Sequence, residues 1–216
     1  MKKRFLPAAL LLAVVVTSRP AWAEDLKPVK LPPPRTGGGV PLMQALKARS
    51  TQRRFSPKPL PDQVLADLLW AAFGVNRPDS GKRTAPSAVN WQEIDVYVAL
   101  PGGLFRYDAP SHSLQPVLAE DIRALTGMQD FTQQAPVNLI YVADRSRMGR
   151  ADEEQKDFYS AADTGFISQN VYLFCASEGL ATVVLGMVDK PALEKKMGLK
   201  PEQKVILTQP VGYPEE

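Results

Sequence analysis

The sequence predicts an α+β domain: a central, mostly antiparallel sheet flanked by helices. Three observations carry that expectation. Residues 94–100, Ile-Asp-Val-Tyr-Val-Ala-Leu, alternate in polarity and turn through Pro101-Gly102-Gly103 into Leu104-Phe105-Arg106-Tyr107, the pattern of a hairpin. Two segments read as helices: Val64, Leu65, Leu68, Leu69 and Ala72 form a stripe at helical spacing, and residues 158–178 form the longest helix. Strands and helices do not alternate regularly, which argues against a doubly wound parallel sheet.

The chain begins with a targeting pattern. Lys2, Lys3 and Arg4 precede an apolar run over 5–16, and Ala21-Trp22-Ala23 places small residues where a signal peptidase cuts. Residues 1–23 are therefore expected to be a signal peptide cleaved after Ala23, with a periplasmic or secreted product. The apolar run is too short to cross a bilayer comfortably. Residues 24–40 read as a lead-in or arm: Pro32-Pro33-Pro34 favours extended geometry and Gly37-Gly38-Gly39 breaks structure. Residues 41–216 are expected to form a single domain.

Within that domain a short helix is expected from about Pro41, with Leu42, Ala45, Leu46 and Arg49 on one face. Pro61 suits a first helical position, and Gly74 closes that second helix. Residues 75–92 form a long polar loop, a length that favours function over simple connection. After the hairpin, 118–134 are weakly helical and 137–142 form a buried apolar strand. In the long helix, Ala161, Ala162, Gly165 and Ser168 are small enough for another backbone to approach, and Gly179 stops it. Residues 182–185 are short and apolar, 190–197 read as a helix and 204–211 as the last strand.

Composition excludes several function classes. The formal net charge is +3. Removing residues 1–23 takes away four basic residues and no acidic one, which leaves about −1. A nearly neutral chain without a basic face is not a nucleic-acid binder, and after signal cleavage nothing marks a membrane partner. The single Cys175 permits no intramolecular disulfide, and it sits in an apolar helical stretch as a core thiol would. The single His112 lies in a Ser-His-Ser turn and reads as a solvated turn residue rather than a catalytic base. One His and one Cys do not make a zinc site without further ligands. No Walker loop and no Gly-x-Gly-x-x-Gly is present. Chemistry by a bound organic cofactor, with no catalytic side chain, is what remains.

The segment Arg49-Ser50-Thr51-Gln52-Arg53 has the donors that an anion needs. Guanidinium groups match phosphate oxygens and hydroxyls add short hydrogen bonds. If the segment is helical, Arg49 and Arg53 share a face, while Lys47 and Arg54 read as solvated. A plain basic surface is the competing interpretation. Two further elements follow: Pro86, Ser87, Asn90 and Gln92 in a polar loop that leads into a strand, and Leu185-Gly186, where a glycine allows close backbone approach. Their bland readings are an ordinary turn and a strand end.

In this order the elements resemble the nitroreductase-like FMN-dependent oxidoreductases. Arg49, Thr51, Arg53 and Phe55 fall on that family's opening Arg-x-Ser-x-Arg segment, with Ser50 adjacent. Pro86, Ser87, Asn90 and Gln92 match its Ala-Pro-Ser-Ser-x-Asn-x-Gln pattern. Asp163-Thr164-Gly165, Gly179-Leu180-Ala181-Thr182, Leu185-Gly186 and Val211-Gly212-Tyr213-Pro214 match its later segments. The hairpin Gly103-Leu104-Phe105-Arg106-Tyr107-Asp108, with Leu114, is most similar to the thiazole/oxazole dehydrogenase branch. The resemblance covers about 41–214. It implies an α+β homodimer with FMN at each of two interface sites, a reduced donor such as NAD(P)H, and a small organic acceptor. It implies that Arg49, Ser50, Thr51 and Arg53 hold the phosphate and ribityl chain. Pro86, Ser87, Asn90 and Gln92 would lie at the ring, often that of the partner subunit, and Leu185 and Gly186 at its reactive edge. The chain departs from the family by stopping soon after Tyr213-Pro214, without a long C-terminal arm. A non-catalytic flavin- or ligand-binding protein and a purely structural dimeric domain are the competing readings.

Overall fold

The computed structural model describes residues 26–215, so the expected signal peptide lies outside the described residues. In chain order the elements are β1 (Val29–Lys30), α1 (Leu42–Ala48), α2 (Asp62–Phe73), β2 (Val75–Arg77), β3 (Lys82–Arg83), β4 (Ile94–Leu100) and β5 (Gly103–Asp108). Then come β6 (Ser113–Leu118), α3 (Phe131–Gln134), β7 (Val137–Asp144), α4 (Glu153–Glu178), β8 (Ala181–Thr182), α5 (Lys190–Met197) and β9 (Gln203–Gly212). Seven strands form one sheet in the order β1-β6-β5-β4-β7-β9-β8, and every neighbouring pair is antiparallel. The predicted α+β class and antiparallel sheet are what the chain adopts.

The centre of the sheet is β7, which pairs with β4 on one side and β9 on the other. Its side chains alternate between two cores, as a strand covered on both faces requires. Val137, Leu139, Tyr141 and Ala143 pack toward α2 and α4, meeting Leu68, Leu69, Ile167 and Val171. Ile140 and Val142 pack on the other face with Tyr97, Leu104, Ile122 and α5's Leu193 and Met197. A third, smaller core joins Phe55, Ala135, Ala181, Val183 and Leu185. It lies beneath the segments of interest.

The helix ends follow local chemistry. Asp152 caps α4 by accepting from Gln155 N at 2.8 Å, and the Gln155 side chain returns a bond to Asp152 N at 3.1 Å, a capping box. That box starts α4 five residues earlier than its apolar pattern predicts. Gly179 ends the helix in the left-handed conformation with φ 66°. Asp189 caps α5 through Ala192 N at 3.1 Å.

Several expectations are corrected. The helix α1 stops at Ala48, and Arg49 already has extended ψ of 119°. The chain is drawn into tertiary pairing instead: Gln52 N donates to Thr182 O at 3.0 Å, Phe55 bridges to Pro214, and Ser56 N donates to Tyr213 O at 2.9 Å. Arg49 and Arg53 therefore do not share a helix face. The loop expected over 75–92 contains the small antiparallel pair β2 and β3. The segment 118–134 holds only a 3-10 turn at Arg123–Thr126 and the four-residue α3. The strand β6 was not anticipated, and it accepts β1 from the proline-rich stretch as an edge strand. That stretch lies on its own domain: Leu31 is buried, and Arg35 forms an ion pair with Asp67 at 2.7 Å. Among the described residues, no helix is long and apolar enough to cross a membrane.

Candidate functional site

Arg49, Ser50, Thr51 and Arg53 lie together along the surface that leads from α1 to the buried Phe55. Arg49 is half-buried and its guanidinium sits 5.4 Å from the centre of the Tyr172 ring. That contact orients the cation while leaving its hydrogen-bonding edge available. Ser50, Thr51 and Arg53 are exposed. Among the described residues, Arg53 forms no ion pair. Two guanidinium groups and two hydroxyls facing solvent without an acidic partner are a donor set that fits a phosphate and a polyol chain.

Tyr172 connects this donor set to the second candidate segment. Its hydroxyl is hydrogen-bonded to Thr51 Oγ1 at 3.2 Å and accepts from Val184 N at 3.0 Å. The residue escaped the sequence reading because it sits in the apolar stretch Tyr172-Leu173-Phe174, where it reads as core. Beyond Val184, Leu185 is locked in place: its N–H donates to Thr208 O at 2.8 Å, and its carbonyl accepts from Thr208 N at 3.1 Å. Both backbone groups of Leu185 are thus used within the chain and are not offered to a ligand. Gly186 differs. It is exposed, its N–H makes no hydrogen bond among the described residues, and an added Cβ would meet only Leu207 Cδ2 at 3.8 Å. Of this pair, Gly186 alone presents an open backbone donor.

The third segment is held in an unusual conformation. Val89, Asn90 and Gln92 have φ of 50°, 58° and 48°, a region costly for non-glycine residues. Val89 is 83 % exposed, an apolar side chain thrust into solvent. The loop is tied down from beneath: Asp163 Oδ2 accepts from Ala88 N at 2.8 Å, and Ser87 Oγ accepts from Gln92 N at 3.0 Å. Gln92 is bound up in this scaffold. Its Oε1 accepts from Arg83 Nε at 2.8 Å, its Nε2 donates to Gly81 O and Asn90 Oδ1 at 3.2 Å each, and its carbonyl accepts from Arg147 Nη1 at 2.9 Å. Gln92 shapes the loop rather than facing outward. Pro86 and Asn90 are exposed and Ser87 is half-buried.

Under the loop lies a pair of carboxyl groups: Asp163 belongs to the Asp163-Thr164-Gly165 segment, but no sequence pattern pairs it with Glu93. Glu93 is completely buried with both carboxyl oxygens lacking a hydrogen-bond donor among the described residues, and Asp163 is 2 % exposed. Burial, aided by the proximity of Asp163, pushes the Glu93 carboxyl up to about 7. Burial raises Asp163 as well, against the stabilising hydrogen bond from Ala88 N. Such a pair takes up a proton at a higher pH than ordinary carboxyl groups do.

The helix α4 sets the distance between these parts. Asp163 anchors the 86–92 loop and Tyr172 anchors the Arg49–Thr51 end. Nine residues separate them, about two and a half turns, which is ~13 Å along the axis and on opposite flanks of the helix. One chain brings Arg49, Ser50, Thr51, Arg53, Tyr172 and Gly186 together, but it does not bring Pro86, Ser87 and Asn90 to them. A cavity of about 220 Å³ adjoins the first group, lined by Ser50, Gln52 and Tyr172. A larger groove of about 590 Å³ runs between the 35–40 stretch, α1, α2 and α4, and none of the predicted residues lines it.

The remaining candidates have structural roles. His112 is half-buried rather than solvated, with Nδ1 2.8 Å from the Tyr107 hydroxyl, and burial lowers its pKa. Cys175 is buried in the main core, which pushes its thiol well above the usual range. Among the described residues no group of His, Cys, Asp and Glu could hold a metal ion.

Comparison with known proteins places this geometry. The model of the Nitroreductase family matches residues 46–213. A candidate nitroreductase of Methanocaldococcus jannaschii is 30 % identical over 183 residues, 80 % of this chain and 91 % of that protein. The crystal structure of a candidate nitroreductase of Ralstonia eutropha JMP134 has a TM-score of 0.86 and 41 % identity, covering 98 % of this chain and 100 % of that one. The NADPH:FMN oxidoreductase of Vibrio harveyi, solved with NAD+, shares the fold at a TM-score of 0.62 and 19 % identity, covering 81 % of this chain and 69 % of that one. The match spans the segment with the two arginines, the strained loop, α4 and the Gly186 strip together, so the chain belongs to the nitroreductase family.

Proposed function

We propose that this chain is an exported FMN-dependent oxidoreductase that works as a homodimer with two composite sites. The observation that carries the reading is the donor set of Arg49, Ser50, Thr51 and Arg53, tied through the Tyr172 hydroxyl to Val184, two residues before the open N–H of Gly186. The two arginines and hydroxyls would take the phosphate and ribityl chain, and Gly186 would meet the reactive edge of the isoalloxazine. A flavin held by these residues would supply two-electron redox chemistry between a reduced donor and a small organic acceptor. The donor class is a nicotinamide, as the name of the Vibrio harveyi relative suggests, and the acceptor class is a nitro compound, a quinone or an azoline.

The separation along α4 supports the dimer. Pro86, Ser87 and Asn90 would serve the flavin of the second copy, because their own chain's phosphate end lies on the other flank. The outward face of α4 is apolar enough for that contact: Phe158 is 65 % exposed, and the neighbouring Gly165 has open space around it. The signal-peptide pattern supports export to the periplasm or beyond. Export also favours one second reading, a non-catalytic flavin-binding protein, since nicotinamide is a cytoplasmic supply.

Purified mature protein is expected to be yellow and to release on denaturation a mass equal to FMN. Colourless protein that does not take up added FMN would overturn the reading. Anaerobic mixing with a reduced nicotinamide then separates the two: bleaching of the flavin band marks an enzyme, and an unchanged spectrum marks the binder.

A further inference from the structure

Beside Gly186 the chain builds a second feature that flavin binding does not require. The turn after Arg123–Thr126 runs back against the Gly186 strip, and Met128 N donates to Met187 O at 3.1 Å. Both methionine side chains are turned to solvent, at 69 % and 65 % exposed, and Leu125 beside them is also exposed. Large apolar side chains held in water next to an open backbone donor call for an explanation.

Their placement is rigid. Thr208 is completely buried and keys both sides. Its backbone pairs with Leu185, and its hydroxyl donates to Thr126 O. The buried Asn138 Nδ2 donates to Thr126 Oγ1 and to Thr132 O, each at 2.8 Å. Gly127 lets the turn press onto the strip, since a Cβ there would lie 2.8 Å from both Leu185 Cδ1 and Thr132 Cγ2. A buried polar network with close packing thus fixes the backbone on both sides, while two flexible thioethers project from it. Thioethers are polarisable, adapt to different shapes and make favourable contacts with aromatic rings.

We propose that Met128 and Met187 form the acceptor shelf of this site and select planar, uncharged aromatic acceptors of naphthoquinone size. The proposal rests on the assignment of Gly186 to the reactive edge of the flavin. An acceptor lying on the two thioethers would be held flat beside that edge. Reduction of the quinone takes two electrons and two protons: the reduced nicotinamide supplies a hydride's worth of electrons with one proton, and solvent supplies the second.

The test uses the full mature protein loaded with FMN, labelled with 13C at the methionine methyls and titrated with 2-methyl-1,4-naphthoquinone. The Met128 and Met187 methyl signals are expected to shift together. Met43, exposed on α1, is the internal reference and is expected to stay. In turnover, Met128→Gln or Met187→Gln is expected to raise KM for the naphthoquinone about tenfold. KM for ferricyanide, a charged acceptor that takes one electron per ion, is expected to stay as it was. Met128→Leu and Met187→Leu are expected to restore most of the quinone affinity. Still methyl signals in a protein that binds FMN and reduces the quinone would overturn the shelf alone, as would equal KM changes for both acceptors. Failure to take up FMN would overturn the flavin reading and the shelf with it.

Discussion

Arg53 has the simplest role assigned to any residue here, a cation facing solvent with no anionic neighbour among the described residues. Replacing Arg49 or Arg53 by alanine is expected to weaken FMN binding by about 1.5–3 kcal/mol, the range of a hydrogen bond to a charged group. Fluorescence titration of flavin into apoprotein measures it, and an unaltered thermal midpoint without FMN shows that the fold is intact. Undiminished affinity in both variants would refute the phosphate assignment. Glu93 makes a different prediction. Its carboxyl binds a proton more tightly folded than unfolded, because the folded value is about 7 against an ordinary 4.5. The folded state therefore holds more protons across that interval, and stability falls as pH rises through it. Asp163, also raised, acts with the same sign. Urea midpoints are expected to drop between pH 5 and pH 8 and then level off. Glu93→Gln is expected to flatten that dependence, and an unchanged slope in the variant would show that the pair does not carry it.

At the level of elements, apolar spacing locates α2 and the β4–β5 hairpin, which bury a regular face, and a continuous apolar run locates β7, which is covered on both faces; α5 and β9 also fall where the sequence places them. It failed where tertiary contacts overrule local pattern. The spacing of Arg49 and Arg53 looks helical, yet pairing of Gln52 with Thr182 and of Phe55 with Pro214 pulls that segment straight. β6 contains Pro116 and polar residues, and it becomes a strand through pairing with β5 and β1. Asp152 and Gln155 at capping-box spacing mark the start of α4 in the sequence. The site was legible to the extent that its donors are local in sequence. Tyr172 and the pair of Glu93 with Asp163 were not, since their meaning comes from partners 70 or more residues away: Thr51 lies 121 residues from Tyr172, and no local pattern encodes such a contact.

For the whole molecule, the proposed dimer makes the outward face of α4 the place to test. Phe158 and Phe166 stand exposed on it, with Gly165 leaving room for a second backbone. A charge there should not survive burial, since an isolated carboxylate pays a large desolvation cost. Phe166→Asp is expected to give a folded monomer by light scattering, with an unchanged circular dichroism spectrum and little retained FMN. A dimer with full flavin content would place the subunit contact elsewhere.

The two flanks of α4 have a consequence for mixtures of damaged copies. If each site takes its arginines from one subunit and its strained loop from the other, a defect in Arg53 and a defect in Asn90 spoil different halves. In a hybrid of the two, one site collects both faults and the other collects neither. Two inactive proteins refolded together would then recover activity that neither has alone, the way complementing alleles rescue each other.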